Sequence, residues 1–220
     1  SGEPTVAPTL DMVMGCFWLT TARDGAPAEH ANYGSFEEAR IAHDHGQMHL
    51  QDLVRVRDER TGGEFLETTV GRILFDEVVP SEIPFLNKTM DKKALKGLVT
   101  QAYNTLDKER TAELADQIKR IGFIYATRSG ITIAVDELTP PSQKGDLLAK
   151  AETDVEEIRA QYEMGLMTDA ERYQQTVDIW QDATNAVSDA VAAGLIPRGS
   201  LSIMLTSGAK GNIAQVRQMA

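Results

Sequence analysis

The chain has 220 residues, of which 42% are hydrophobic and 25% charged, a composition typical of a folded globular protein and not of a disordered or fibrous one. Its net charge of −11 argues against a broad basic surface of the kind that coats nucleic acid. A single cysteine, Cys16, cannot form an intramolecular disulfide, and no apolar run has the roughly 20 residues of a membrane span. We therefore expect a cytoplasmic protein without membrane contact.

The predicted elements begin with two strands, over residues 49–57 and 65–75, joined by a turn at Gly62 and Gly63. Apolar residues then recur at helical spacing over residues 91–106 and 111–121. Alternation over residues 130–135 predicts a further strand. These elements indicate a compact α+β body over residues 1–141.

Residues 142–194 have the pattern of two antiparallel helices. Apolar residues recur at steps of three and four from Leu148 to Tyr162, and again after Gly165. Thr168 and Glu171 have the spacing of a capping box at the start of the second helix. The narrow apolar seam predicts a coiled-coil hairpin that projects from the body, and the whole fold is expected to be α+β and predominantly helical.

Charge differs between these segments. Residues 1–141 contain 15 basic and 22 acidic side chains, residues 142–194 contain 4 and 11, and residues 195–220 contain 3 and none. The acidic hairpin surface either keeps the helices hydrated or docks a partner protein, and both interpretations remain open. The last segment, the third predicted domain, is the only basic one.

The basic segment contains a lysine between glycines, in the run SGAKGN at residues 207–212, followed by residues with helical character. A lysine in a glycine turn ahead of a helix can direct its ammonium and several backbone N–H groups toward an anion. The same residues also fit a glycine turn that does nothing but cap a helix. Sequence alone leaves both interpretations open.

A second group of candidate residues is the histidine cluster. His43, His45 and His49 lie within seven residues, but no cysteine or carboxylate stands at a standard zinc-ligand spacing from them. We expect exposed histidines on a turn, and no metal site. The chain also lacks the sequence motifs of serine hydrolases and of P-loop nucleotide-binding proteins.

Six motifs in a fixed order resemble a known family. They are GEPTVAPTLDMVMG at 2–15, TTVGRILFDEVVP at 68–80, PFLNKTMDKKAL at 84–95, GFIYATRSGITIAVDEL at 122–138, ERYQQTVDIW at 171–180 and SGAKGNIAQVRQMA at 207–220. Together they cover nearly the whole chain and resemble the pore and funnel region of the β′ subunit family of bacterial DNA-directed RNA polymerase. The resemblance implies an internal segment of a nucleotidyltransferase.

The resemblance also implies partners and cofactors. The segment would line the secondary channel, through which nucleoside triphosphates enter and into which the RNA 3′ end moves on backtracking. It would assemble with the β, α and ω subunits and the rest of β′, contact DNA through the complete nucleoid-associated enzyme, and dock Gre-type cleavage factors on its hairpin. The Mg²⁺ of the complete enzyme would be bound by an aspartate-rich loop that these 220 residues lack, so we expect no cofactor and no catalytic residue here.

Residue by residue, the resemblance places Lys210 in the position of a cationic side chain that contacts the incoming triphosphate. Most bacterial members have arginine there, and a lysine keeps the charge but loses the bidentate grip. The surrounding loop, called the F-loop in the family, implies a supporting role for seven residues: Ser207, Gly208, Gly211, Asn212, Gln215, Arg217 and Gln218. Factor docking is implied for three hairpin residues: Glu163, Asp169 and Glu171.

Three departures from the family pattern stand near these motifs. Leu10 replaces a usual glutamine, Thr206 replaces a usual aspartate next to the lysine loop, and residues 194–202 form a shorter stretch than many relatives have.

Two other classes of function remain as alternatives. An independent acidic coiled-coil adaptor would need no other subunits. A stand-alone nucleotide-binding enzyme would bind triphosphate as an isolated chain.

Overall fold

In the computed structural model, residues 7–23, 32–58 and 63–219 are described, and the chain divides into two structural units. Unit 1 comprises residues 1–132 and 203–210, and unit 2 comprises residues 133–202 and 211–220. The predominantly helical α+β class predicted from sequence is confirmed. The domain boundaries predicted at residues 142 and 195 stay predictions.

Unit 1 contains five helices and a three-stranded sheet among its described residues. The elements are α1 (Asp11–Thr20), β1 (Asn32–Tyr33), α2 (Phe36–Asp44), β2 (Leu53–Asp58), β3 (Glu64–Thr69), α3 (Val70–Asp76), α4 (Lys92–Thr105) and α5 (Lys108–Ser129). β2 is central: it pairs in parallel with β1 and antiparallel with β3, in the register Leu53↔Thr69 to Asp58↔Glu64. The sheet and α2 enclose a small core that includes Ala39, Val54 and Val56.

The larger core of unit 1 forms where α1 crosses α5 at close range. A side chain at Gly122 would place its Cβ 2.6 Å from the backbone oxygen of Met12, and a Cβ on Gly15 would overlap the Gly122 carbonyl. Only glycine permits this approach, because any larger residue would need to occupy the space of a backbone atom. Fifteen buried residues from α1, α3, α4, α5 and the neighbouring loops pack around the crossing, among them Val13, Cys16 and Ala209.

The two predicted helices of unit 1 are confirmed, and capping residues set their bounds. Asp91 accepts the Ala94 N–H at the start of α4, and Asp107 accepts the Arg110 N–H at the start of α5. Gly130, with φ of 62°, ends α5 in the left-handed conformation that favours glycine. α5 is therefore longer than the predicted residues 111–121.

Both predicted strands of the body are corrected in extent. The first strand begins at Leu53, because residues 49–52 form a turn in which Asp52 accepts the His49 N–H. The second strand ends at Thr69, whose side chain accepts the Arg72 N–H and so starts α3. Gly62 of the predicted turn lies outside the described residues, whereas Gly63 has φ of 87° and donates to the Asp58 carbonyl.

The predicted strand at residues 130–135 is wrong. Residues 131–134 have no regular structure, and a single 3₁₀ turn follows at Val135–Glu137. The alternating pattern has no partner strand within the described ranges, and two of its apolar members are exposed, Ile133 at 53% and Val135 at 84%. Alternation predicts a strand only where a neighbouring strand satisfies the backbone groups and one face is covered.

Unit 2 is built on the predicted helical hairpin. Its elements are the 3₁₀ turn, α6 (Lys144–Glu163), α7 (Asp169–Gly194) and α9 (Ile213–Arg217), and α8 (Ser200–Thr206) leads from unit 2 into unit 1. α6 packs on α7, and the predicted capping box is confirmed: Thr168 accepts the Glu171 N–H and Glu171 accepts the Thr168 N–H. Only Ala151, Val187 and Val191 are buried along these two helices. Supercoiling of the pair stays a prediction.

Candidate functional site

The lysine turn, residues 207–210 in unit 1, follows α8 and is fixed by buried hydrogen bonds. Ser207 is fully buried, and its carbonyl accepts the N–H of Lys92 at 2.9 Å. Its hydroxyl donates to the Met204 carbonyl at 3.1 Å and accepts the Ala209 N–H at 3.2 Å. These bonds join the turn to the beginning of α4.

Packing around the turn stabilises the same backbone geometry, and the Lys210 side chain lies outside the packed core. Gly208 has φ of 71°, and a Cβ there would lie 3.2 Å from the Lys92 Cβ, so glycine suits both the conformation and the space. Ala209 is buried in the large core of unit 1. Lys210 is exposed, and none of the residues that the structure describes forms an ion pair with it. The turn thus presents an exposed ammonium on a buried anchor.

The next residues belong to unit 2, where Gly211, with φ of 79°, precedes a capped helix. Asn212 accepts the Gln215 N–H at 3.0 Å, and Gln215 accepts the Asn212 N–H at 3.1 Å. This capping box uses the N–H groups of Asn212 and Gln215, two of the backbone donors that the sequence pattern offered to an anion. Lys210 is the cationic side chain of residues 207–212, and Asn212 and Gln215 shape the start of α9.

The end of α9 packs on α7. Val216 is buried, and Arg217 donates from Nη1 to the Ser188 hydroxyl on α7 at 2.8 Å. Gln218 follows as an exposed residue at the end of the helix. Ser188 is a partner that sequence reasoning missed, because nothing in the spacing of a serine on a polar helix relates it to an arginine 29 residues later.

The hairpin tip, residues 163–173, contains the three predicted docking carboxylates, and each has a local partner. Glu163 pairs with Arg159 at 3.1 Å, and Asp169 pairs with Arg172 at 2.8 Å. Glu171 accepts both the backbone N–H and the hydroxyl of Thr168, and these bonds hold the pKa of Glu171 below its usual range. All three carboxylates are exposed, but each already forms an ion pair or a hydrogen bond at its own helix end.

Exposed apolar side chains lie beside these carboxylates, and sequence reasoning missed them. Met164 is 66% exposed, Leu166 70% and Tyr173 64%. The sequence signal for this surface was Met164 and Leu166, two large apolar residues on either side of Gly165. A turn between two helices does not need large apolar side chains. Exposed apolar groups at the end of a hairpin are typical of a protein-binding surface.

Comparison with known proteins gives the family. A family model described as RNA polymerase Rpb1, domain 3, matches residues 1–138, more than half of the chain. The chain belongs to the RNA polymerase Rpb1 domain 3 family. A second model, RNA polymerase Rpb1, domain 4, matches residues 167–220. The family resemblance inferred from six sequence motifs is confirmed.

Curated relatives of this chain are named DNA-directed RNA polymerase subunit beta′. The protein of Desulforamulus reducens is 46% identical over 219 residues, that of Dehalococcoides mccartyi strain 195 is 43% identical over 220, and that of Heliobacterium modesticaldum is 37% identical over 235. Each match covers all of this chain and 18%, 17% and 20% of the respective relative. The chain thus spans about a fifth of the length of these relatives.

The lysine turn, α9 and the carboxylates Asp169 and Glu171 lie in the domain 4 match, whereas Glu163 lies between the two matches. Leu10 and Thr206, two of the departures from the family pattern, lie in different surroundings. Leu10 is half exposed with φ of 51° and precedes α1 without a side-chain cap. Thr206 is the exposed last residue of α8.

The remaining candidates do not form a second site. His45 and His49 are exposed, His43 contacts the Met48 carbonyl at 3.0 Å, and the described ranges contain no cluster of three potential metal ligands. Cys16 is buried, and burial raises the pKa of its thiol to about 12, which keeps it protonated and unreactive. In the part of the chain that the structure describes, no helix combines the length and apolarity of a membrane span.

Proposed function

We propose that this chain is a segment of the β′ subunit of a multisubunit DNA-directed RNA polymerase, and that it lines the secondary channel used by entering nucleotides and by backtracked RNA. The observation that supports the proposal is the match of the entire chain to β′ subunits, together with two successive Rpb1 domain matches in chain order. Under this proposal the β, α and ω subunits and the rest of β′ are its partners, and the complete enzyme, with its bound DNA, lies at the nucleoid.

Within that function, Lys210 contacts the triphosphate of the incoming nucleotide. Nucleotidyl transfer moves negative charge onto the pyrophosphate leaving group, and a fixed cation stabilises that charge. The lysine turn supports this role because its backbone is anchored by Ser207 and Ala209 while the Lys210 ammonium has no ion-pair partner among the described residues. An anchored cation needs little reorganisation when the triphosphate arrives.

The Mg²⁺ of the complete enzyme would be held elsewhere. The described residues contain no group of three His, Cys, Asp or Glu side chains that could hold a metal ion. The described residues therefore do not fit the metal. This segment contributes by positioning the nucleotide triphosphate. The segment alone is expected to be inactive.

The proposal is tested by Lys210→Ala in the reconstituted complete polymerase, with steady-state elongation rates measured against nucleotide concentration. We expect the KM for nucleotides to rise about tenfold, because an interaction of roughly 1 to 2 kcal/mol with a phosphate is removed. Lys210→Arg keeps the charge, and we expect its KM to be at or below that of the parent enzyme.

Lys150→Ala, at an exposed lysine of α6, is the matched control and should leave the KM unchanged. An unchanged KM for Lys210→Ala would remove the triphosphate contact from the proposal. Tight triphosphate binding by the isolated chain would instead favour the stand-alone nucleotide-binding enzyme.

A further inference from the structure

The start of α4 contacts the lysine turn, and both belong to unit 1. Lys92 is the first residue of α4, so its N–H has no carbonyl partner within the helix; it donates to the Ser207 carbonyl at 2.9 Å. Gly208 lies against the Lys92 side chain, since a Cβ added to Gly208 would lie 3.2 Å from the Lys92 Cβ. The position of Lys92 therefore helps to set the position of the turn that ends at Lys210.

A buried hydroxyl fixes the backbone just before α4. Met90 is fully buried, and its N–H donates to the Thr20 hydroxyl at 2.8 Å. Thr20, the last residue of α1, is also fully buried, and its hydroxyl donates to the Cys16 carbonyl at 2.7 Å. Because the hydroxyl proton is directed to Cys16, the oxygen lone pairs remain for the Met90 N–H. Met90 stands two residues before Lys92, so this hydrogen bond restrains the start of α4.

Arg72 on α3 binds both Thr20 and the segment that leads to Met90. Its Nε donates to the Thr20 carbonyl at 3.0 Å, and its Nη1 donates to the Asn87 side-chain oxygen at 2.9 Å. Hydrogen bonds from a charged donor are stronger than those between neutral groups. Residues 87–90 are therefore held at both ends, by Arg72 at Asn87 and by Thr20 at Met90.

We infer that Thr20 and Arg72 are positioning residues for nucleotide binding: their hydrogen bonds fix the segment before α4, and α4 holds the turn that presents Lys210. The inference rests on the proposed triphosphate contact of Lys210. It gives the motif at residues 84–95, which includes Met90, a part in substrate binding. All of these residues belong to unit 1, and neither positioning residue touches the nucleotide.

The test uses Thr20→Val in the reconstituted complete polymerase, with elongation rates measured against nucleotide concentration. Valine has nearly the shape of threonine but no hydroxyl, so the buried Met90 N–H loses its acceptor. We expect the nucleotide KM to rise about threefold to tenfold, with kcat changed less than twofold. The upper limit is the effect of Lys210→Ala, because misplacing the ammonium removes at most the interaction that this substitution removes. Thr20→Ser keeps the acceptor and should keep the KM near the parent value.

Thr111→Val is the matched control in unit 1. Thr111 is also a buried threonine whose hydroxyl donates to the carbonyl four residues earlier, that of Asp107 at 2.8 Å. This bond lies at the start of α5 and does not reach the segment before α4. We expect the KM of Thr111→Val to equal that of the parent enzyme. A rise equal to that of Thr20→Val would reduce Thr20 to a general structural role and overturn the inference.

Arg72→Met is a second variant, which keeps the test decisive if Thr20→Val does not assemble into the complete enzyme. It removes the hydrogen bonds to the Thr20 carbonyl and to Asn87. We expect the nucleotide KM to rise about threefold, again with little change in kcat. Assembly of each variant is checked by gel filtration before kinetics. An unchanged KM in an assembled variant would remove the substituted residue from the inference.

The combination of Thr20→Val with Lys210→Ala separates this inference from the proposed function. If Thr20 acts through Lys210, Thr20→Val raises the KM of the parent enzyme but not that of the Lys210→Ala enzyme. Additive effects, or an effect of Lys210→Ala without one of Thr20→Val and Arg72→Met, would overturn the positioning role and leave the triphosphate contact intact. No effect of Lys210→Ala would overturn both.

Discussion

The lysine turn and the hairpin tip both expose charged side chains, but the two regions hold those charges in different ways. Lys210 follows Ala209, which is buried in a core of fifteen side chains, and no described residue neutralises the Lys210 ammonium. Glu163, Asp169 and Glu171 are held by partners within their own helix ends. Exposure alone therefore does not identify a binding charge. A charge that is anchored through its backbone and left unpaired is better placed for a ligand than one already paired.

The largest expected effect comes from the core that supports the lysine turn. Gly122→Ala should destabilise unit 1 by about 3 kcal/mol or more, because the added Cβ would lie 2.6 Å from the Met12 carbonyl oxygen. Urea unfolding can be followed separately in the two units, with Trp18 fluorescence in a Trp180→Phe background and Trp180 fluorescence in a Trp18→Phe background.

The matched control is Gly97→Ala on α4, where no atom lies within 4 Å of the new Cβ. That variant should be as stable as the parent or more stable by about 1 kcal/mol. Equal stability of Gly122→Ala and Gly97→Ala would contradict the close crossing of α1 and α5.

A smaller effect is expected at the hairpin tip, where stability is local. Thr168→Ala removes the side-chain half of the capping box and should destabilise the hairpin by about 1 kcal/mol. The urea midpoint reported by Trp180 fluorescence should fall, whereas the midpoint reported by Trp18 should stay unchanged. The Thr153 hydroxyl on α6 donates only to a carbonyl of its own helix, so Thr153→Ala should lower neither urea midpoint. A common shift of both signals after Thr168→Ala would show that the two regions are not stabilised separately.

The smallest effect is expected for charge reversal at the hairpin tip. Glu163→Lys combined with Asp169→Lys should weaken binding of a Gre-type cleavage factor to the complete polymerase about threefold, since exposed charges contribute only a few tenths of a kcal/mol each. Glu171 is left unchanged because it is part of the capping box. Binding is measured by titration with labelled factor.

Glu156→Lys, an exposed carboxylate in the middle of α6, is the control and should leave factor binding unchanged. An equal loss for both variants would mean that the acidic surface acts only through its overall charge. If neither variant weakens binding, hydration of the helices would be the remaining role of these carboxylates. Met164 and Leu166 would then be the next residues to test for factor binding.

The elements that sequence predicted well are those whose signals are local. The spacing of Leu95, Leu98 and Val99 predicted α4, and Thr168 with Glu171 predicted the start of α7, because helix periodicity and capping involve residues at most four positions apart. The strand predicted over residues 130–135 failed because its local pattern was adequate but no partner strand exists among the described residues.

The candidate site shows the same division. The glycines, the lysine and the helix start of the loop could be recognised in the sequence, and the family match confirms the resemblance that they helped to carry. The sequence could not reveal the burial of Ser207 and Ala209 or the Ser188–Arg217 hydrogen bond. The residues that bury the turn and that form this bond lie tens of residues apart in the chain. A serine gives no signal of burial by its type, because serines are mostly exposed.

The sequence by itself determined the family, the acidic hairpin with its capped second helix, and the concentration of unopposed positive charge in residues 195–220. Only the tertiary structure decided that Lys210 follows a buried anchor and has no ion-pair partner within residues 7–23, 32–58 and 63–219. The physical reason is that helix spacing, capping and charge counts depend on near neighbours in the chain. Burial and pairing instead depend on which distant residues the fold brings into contact.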